Sequence, residues 1–188
     1  MELQKRIIIG ISGASGAIYG IRALELLKPL ELETHLIISP AAGITISHET
    51  DYSLDDIKAL ADAVHPYKDI AACISSGSYQ TLGMLIAPCS MRSLAEIATG
   101  VTSSLMSRAA DVILKERRRL VLMARETPLT SIHIDNMQRV TQAGGIIYPP
   151  VPAYYHKPES IDDIVNQTVS RVLELFDINT GKVVRWKD

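Results

Sequence analysis

Arg6-Ile7-Ile8-Ile9-Gly10-Ile11-Ser12-Gly13-Ala14-Ser15-Gly16-Ala17-Ile18-Tyr19-Gly20 is an apolar, β-branched run that breaks into small residues and resumes with helical spacing. A strand ending in such a turn aims free backbone N–H groups and serine hydroxyls at one point. The positive end of the following helix dipole favours an anion there. The stretch therefore predicts a phosphate seat at a strand-to-helix junction. Gly10, Gly13 and Gly16 recur every third residue, so the pattern fits neither the dinucleotide fingerprint G-x-G-x-x-G nor G-x-x-x-x-G-K-[ST], and no lysine follows Gly16 to reach a terminal phosphate. Glycines also serve tight turns and close packing, and that reading stands beside the anion one.

The rest of the chain narrows the class. At 188 residues, 47% hydrophobic and 21% charged, it suits one globular domain with a sizeable core, expected to span residues 1–188. A formal charge of −2 with interspersed signs leaves no broad cationic face, so neither nucleic acid nor an anionic membrane is an expected partner. Lys115-Glu116-Arg117-Arg118-Arg119 is the one basic cluster and reads as a solvated face. No apolar segment approaches the ~20 residues of a membrane span, and the Met1 end lacks a signal-peptide pattern. A cytoplasmic protein is expected.

Cys73 and Cys89 lie far apart without a C-x-x-C pattern, and His35, His48, His65, His133 and His156 show no metal-ligand spacing. Neither a disulfide framework nor a metal site is expected. Cys89 ends the apolar run Met84-Leu85-Ile86-Ala87-Pro88-Cys89 and reads as a small buried thiol in preference to a nucleophile.

Strand patterns near 6–12, 33–38, 84–88, 119–124 and 145–148 alternate with helical ones. Near-continuous apolar strands separated by helices indicate an α/β fold: a doubly wound parallel sheet of flavodoxin or Rossmann type, covered on both faces. Ser53-Leu54-Asp55-Asp56 and Ser160-Ile161-Asp162-Asp163 each place a carboxylate three residues after a capping serine, which predicts two helix starts. The spacing Ile161, Ile164, Val165, Val169, Val172, Leu173, Phe176 carries the second helix nearly to the end. In such sheets ligands bind beyond the carboxyl ends of the strands, where strand order reverses. That rule selects Ser12 to Gly16, the loop from Ser39, Pro88 to Ser93, and Arg125 to Pro128. Serine hydroxyls, free amides and arginine forks suit a mononucleotide phosphate with its polar ribityl chain. Lys115, Arg125, Arg171 and Tyr155 suit a second task, neutralising a phosphate that departs during reaction without a metal.

At this point the residues resemble a known family. Gly13-Ala14-Ser15-Gly16, His48-Glu49-Thr50, Ser75-Ser76-Gly77-Ser78, Pro88-Cys89-Ser90, Arg108-Ala109-Ala110-Asp111 running to Leu114-Lys115-Glu116-Arg117, Arg125-Glu126-Thr127-Pro128 and Pro150-Val151-Pro152-Ala153-Tyr154-Tyr155-His156 occur in the order of the flavin prenyltransferases, the UbiX family, formerly described as aromatic-acid or 3-polyprenyl-4-hydroxybenzoate decarboxylases. The likeness runs from about residue 6 to Trp186. It implies a homododecamer that joins the prenyl group of dimethylallyl phosphate to reduced FMN, first at N5 and then at C6. The product, prenylated FMN, serves UbiD-type decarboxylases of ubiquinone synthesis and aromatic-acid metabolism, and no metal is required.

Carried onto this chain, the resemblance implies FMN contacts from Gly13, Ala14, Ser15, Ser39, Ser90, Met91, Arg92, Ser93 and Arg125. It implies prenyl-phosphate contacts from Tyr155 and Arg171, completed by Lys115, Arg108 and Glu126, some from a neighbouring subunit. Ser15 and Glu49 are the residues expected to move protons. The C-terminal helix and tail, about 160–188, would pack on this domain or on a neighbour. Absence of D-D-x-x-D favours a monophosphate donor over a diphosphate. Two alternatives keep the same fold: an FMN-dependent cysteine-decarboxylase-like enzyme, and a non-catalytic FMN carrier.

Overall fold

The computed structural model describes residues 5–187. Six parallel strands form its sheet: β1 (Arg6–Ile11), β2 (Glu33–Ile38), β3 (Ala63–His65), β4 (Gly83–Cys89), β5 (Arg119–Ala124) and β6 (Ile146–Ile147). Their order is β3-β2-β1-β4-β5-β6. The chain works outward from β1 to β3 and then returns to the other side of β1, so strand order reverses between β1 and β4. That gap is where a doubly wound sheet leaves its ligand crevice.

β1 is buried on both faces, and successive isoleucines serve opposite layers. Ile7, Ile9 and Ile11 meet α1 (Ala17–Leu27) and α7 (Ile161–Leu173), together with residues of α2 (Pro40–Glu49) and α3 (Leu54–Leu60). Ile8 faces the opposite cluster, built on α4 (Met91–Thr99), α5 (Leu105–Lys115) and α6 (Ser131–Gln142). All seven residues of β4 are buried. At about 1.5–3 kcal/mol per buried aliphatic side chain, the two layers supply the main favourable term for the fold.

The sequence-predicted helix starts occur as read: Ser53 with Asp56 and Ser160 with Asp163 form reciprocal capping boxes. The strand missing from the sequence reading is β3, three residues at the sheet edge and too short to display a period. The basic run departs from a solvated face at Arg118, whose guanidinium donates to the carbonyls of Tyr79 (2.7 Å) and Gly77 (2.5 Å) and clamps that loop. α7 packs on α1, where Arg22 donates to Asp162 and Asn166, each at 2.6 Å. Beyond it Phe176 and Ile178 return to the core. No helix among the described residues is long and apolar enough to cross a membrane.

Candidate functional site

The reversal point is stitched by one serine. Ser12 Oγ donates to the Pro88 carbonyl (2.8 Å) and accepts from the Ser90 amide (2.7 Å), tying the turn after β1 to the turn after β4. Gly13 lies against the start of α2 so closely that a Cβ there would sit 2.4 Å from that of Ala41. Gly16 caps α1 with φ +99°, left-handed backbone that a side chain would strain. Both glycine readings therefore hold: the turn packs tightly, and its amides point outward.

The anion held by those amides is the chain's own. Glu49, the last residue of α2, places Oε2 at 2.8 Å from the Gly16 amide and 3.1 Å from that of Ala17, and also receives the Ser15 hydroxyl. The phosphate seat read from the opening stretch is thus a carboxylate seat. Partial burial pushes the Glu49 pKa up, but the Ser15 hydroxyl, the two amides and the Arg125 charge outweigh it and leave the carboxyl below its ordinary value. Glu49 is therefore ionised at neutral pH, with Ser15 as its hydrogen-bonded neighbour.

Ser15 and Gly16 line a cleft of about 420 Å³ with Tyr19, Arg125, Glu126 and Val151. The Arg125 guanidinium makes no hydrogen bond or ion pair among the described residues, although its charge reaches Glu49 and Tyr19. An unpaired fork over a polar cleft is a waiting anion ligand. Among the described residues Glu126 accepts only from the Thr127 amide, at 3.0 Å.

Two serine-capped helix starts flank this cleft's strand neighbours. Ser39 Oγ accepts from the Ala42 amide (3.1 Å) at α2, and Ser90 Oγ from the Ser93 amide (3.2 Å) at α4, where Met91 and Arg92 form the first turn. The Arg92 side chain is 81% exposed and paired with Glu96. Cys89 is fully buried, and desolvation pushes its thiol up to about 12, which excludes a nucleophilic role.

The remaining predicted residues form separate groups within one chain. Tyr155 donates to the Val184 carbonyl (3.1 Å), accepts from Gln167 (3.2 Å) and packs edge-on against Trp186. Arg171, on the last turn of α7, pairs with Glu174. Lys115 and Arg108 belong to α5, paired with Glu116 and Asp111 respectively. Lys115 ends α5 beside Gly77, just before β5 begins, so it stands at the opposite ends of the strands from Ser15, roughly 20 Å away by the length of a six-residue strand. A single chain does not unite this set.

Sequence reasoning gave three residues no individual role. Ser12 was one serine among several, and its role needs the β4 turn beside it. Tyr19 lies in the quoted stretch at helical spacing and reads as packing, yet it lines the cleft. His156 follows Tyr155 and has both ring nitrogens buried without a partner among the described residues.

Comparison with known proteins identifies the family. A family model described as Flavoprotein matches residues 1–173. The flavin prenyltransferase UbiX of Neisseria meningitidis is 56% identical over 185 residues, 98% of either chain. The crystal structure of AnUbiX (PadA1) in complex with FMN and dimethylallyl pyrophosphate superposes with a TM-score of 0.97 at 52% identity, covering 99% of both chains. A dodecameric FMN-dependent Ubix-like decarboxylase from Escherichia coli O157:H7 gives 0.95 at 47% identity, over 97% of this chain and all of its own. A Ser15–Glu49 pair beside an unpaired arginine at the reversal of a doubly wound sheet, within a sequence more than half identical to such enzymes, places this chain in the UbiX family of flavin prenyltransferases.

Proposed function

We propose that the chain transfers a dimethylallyl group from its phosphate to reduced FMN, at N5 and C6, and so makes prenylated FMN for UbiD-type decarboxylases. The observation that carries this reading is the Ser15–Glu49 pair, with Arg125 unpaired over the same cleft. The residues fit the flavin: serine-capped helix starts at Ser39 and Ser90 and the Gly13–Ser15 turn offer short donors. When bound, reduced FMN supplies the electron-rich N5 and C6 positions.

The chain's own work is then positioning and proton transfer. Ser15 gives its hydrogen to Glu49 and keeps its lone pairs for a proton arriving from the cleft, which Glu49 stores. A relay of this kind contributes about 10²–10⁴-fold in rate. Holding donor and acceptor in line contributes part of the roughly 7–11 kcal/mol available from ideal positioning. Arg125, Arg171, Lys115, Arg108 and the Tyr155 hydroxyl neutralise the departing phosphate, and Glu126 orients that set. Since Lys115 stands about 20 Å from Ser15 within one chain, the site is completed by a neighbouring subunit in an assembly we take to be a dodecamer. Ile44, Ile132, Val151 and Tyr154, each more than half exposed in the single chain, support such burial. The free thiols Cys73 and Cys89 fit a cytoplasmic setting.

The test couples two proteins. The enzyme is incubated anaerobically with reduced FMN and either dimethylallyl monophosphate or diphosphate, and the filtrate is given to a metal-supplied UbiD-type apo-decarboxylase. Decarboxylation that depends on both substrates supports the proposal, and the donor that sustains it is the physiological class. Filtrate that never activates the decarboxylase returns the choice to an FMN carrier or a cysteine decarboxylase.

A further inference from the structure

His35 lies on β2 and His65 on β3, and the strand register sets His35 beside Ala63 and Ile37 beside His65. The two histidines therefore share one face, one diagonal step apart. The segment after β3 folds back over that face and brings Cys73, at the start of a short 3-10 turn, to the same point. One ligand atom from each of His35, His65 and Cys73 lies within 4.8 Å of the other two. Around a tetrahedral ion, nitrogen at about 2.0–2.1 Å and sulfur at about 2.3 Å stand about 3.3–3.6 Å apart, so modest side-chain shifts from the present positions bring the three together.

A second observation orients the donors. His35 Nε2 is 3.1 Å from Glu33 Oε1 and 3.1 Å from the Tyr79 hydroxyl, so it carries the hydrogen and leaves Nδ1 with its lone pair. Nδ1 faces His65 Nε2 at 2.9 Å. Glu33 is itself held by Arg6 at 2.8 Å. A carboxylate behind a histidine is the arrangement that fixes the tautomer of metal-ligating imidazoles.

We propose that His35 Nδ1, His65 Nε2 and Cys73 Sγ form a binding site for a thiophilic divalent cation of the zinc class at the β2–β3 edge. Three protein ligands leave a fourth position, open on the side of the exposed cysteine, for water. On binding, His65 moves its hydrogen from Nε2 to Nδ1 and the Cys73 thiol loses one proton to solvent. The metal keeps its charge and no electron is transferred. The site lies apart from the cleft and is no part of the transferase chemistry. It pins the 66–79 segment, over which Lys115 packs at Gly77, to the sheet edge.

Cobalt(II) is the probe. Full-length protein, freed of any affinity tag, reduced and stripped of metal, is titrated with Co²⁺ and then with Zn²⁺. The expected result is one cobalt per chain with tetrahedral visible bands and a thiolate charge-transfer band, both removed by zinc. Cys73→Ser, a change at an exposed position, abolishes the charge-transfer band, whereas Cys89→Ala preserves it. His65→Gln weakens zinc binding at least about tenfold, and Glu33→Gln by about ten- to a hundredfold. Absence of a thiolate band at saturating cobalt, a band that survives Cys73→Ser, or affinity unchanged in His65→Gln each overturns the site.

Discussion

At the scale of single residues, Glu49 decides most. Its carboxylate occupies the amides that the opening stretch offers, so it is the α1 capping anion, and in the proposed mechanism it is also the proton acceptor behind Ser15. Glu49→Gln should preserve flavin binding and slow prenylation by about 10²–10⁴-fold, read from flavin mass against time. Because the Glu49 pKa is lowered, the ionised form is fully present above the ordinary glutamate range and is lost only as pH falls through the lowered value. The acid limb of the rate profile should therefore lie below the ordinary glutamate range and vanish in Glu49→Gln. Thiol chemistry gives an independent check. Cys89 is fully buried and Cys73 exposed, so native metal-free protein should react at one thiol per chain and denatured protein at two. Two fast thiols in the native protein would contradict the burial of Cys89.

At the scale of elements, what sequence reveals is what is local. Ser160 and Asp163 stand three residues apart and cap α7 from within their own turn, so the capping box was readable before any fold was known. Ser160→Ala should lower stability by about 1 kcal/mol, seen as a shift in the denaturation midpoint at fixed protein concentration. Leu173→Ala on the same helix, fully buried against α1 and β1, should cost about 2–5 kcal/mol. By contrast β3 is three residues long, and its pairing with β2 is decided by the sheet. Glu49 and Gly16 are 33 residues apart, and nothing local signals that one fills the other's helix end. The His35, His65 and Cys73 cluster escaped for the same reason: its spacing resembles no metal motif, and only the register of two strands and the fold-back of a loop unite it.

For the whole molecule, the proposed use of both Ser15 and Lys115, which stand far apart in one chain, makes the assembly part of the proposed chemistry. If each site draws on two subunits, mixed oligomers of Glu49→Gln and Lys115→Ala chains should recover about a quarter of wild-type activity, although each parent is nearly inactive. No recovery would place both residues in one subunit. The loops after β1, β2, β4 and β5 were legible because each follows a readable apolar strand, whereas the strand order that sets the crevice between β1 and β4 comes from the structure. The grouping of Tyr155 and Arg171 with the C-terminal tail was not, since it depends on Val184 and Trp186 folding back onto α7. The central claim is that this cleft joins a prenyl group to reduced flavin. It is tested most directly by anaerobic incubation with reduced FMN and dimethylallyl phosphate, without added metal, followed by mass spectrometry of the released flavin. A gain of one five-carbon prenyl unit, lost in Glu49→Gln, is the predicted result, and tightly bound but unmodified FMN would contradict it.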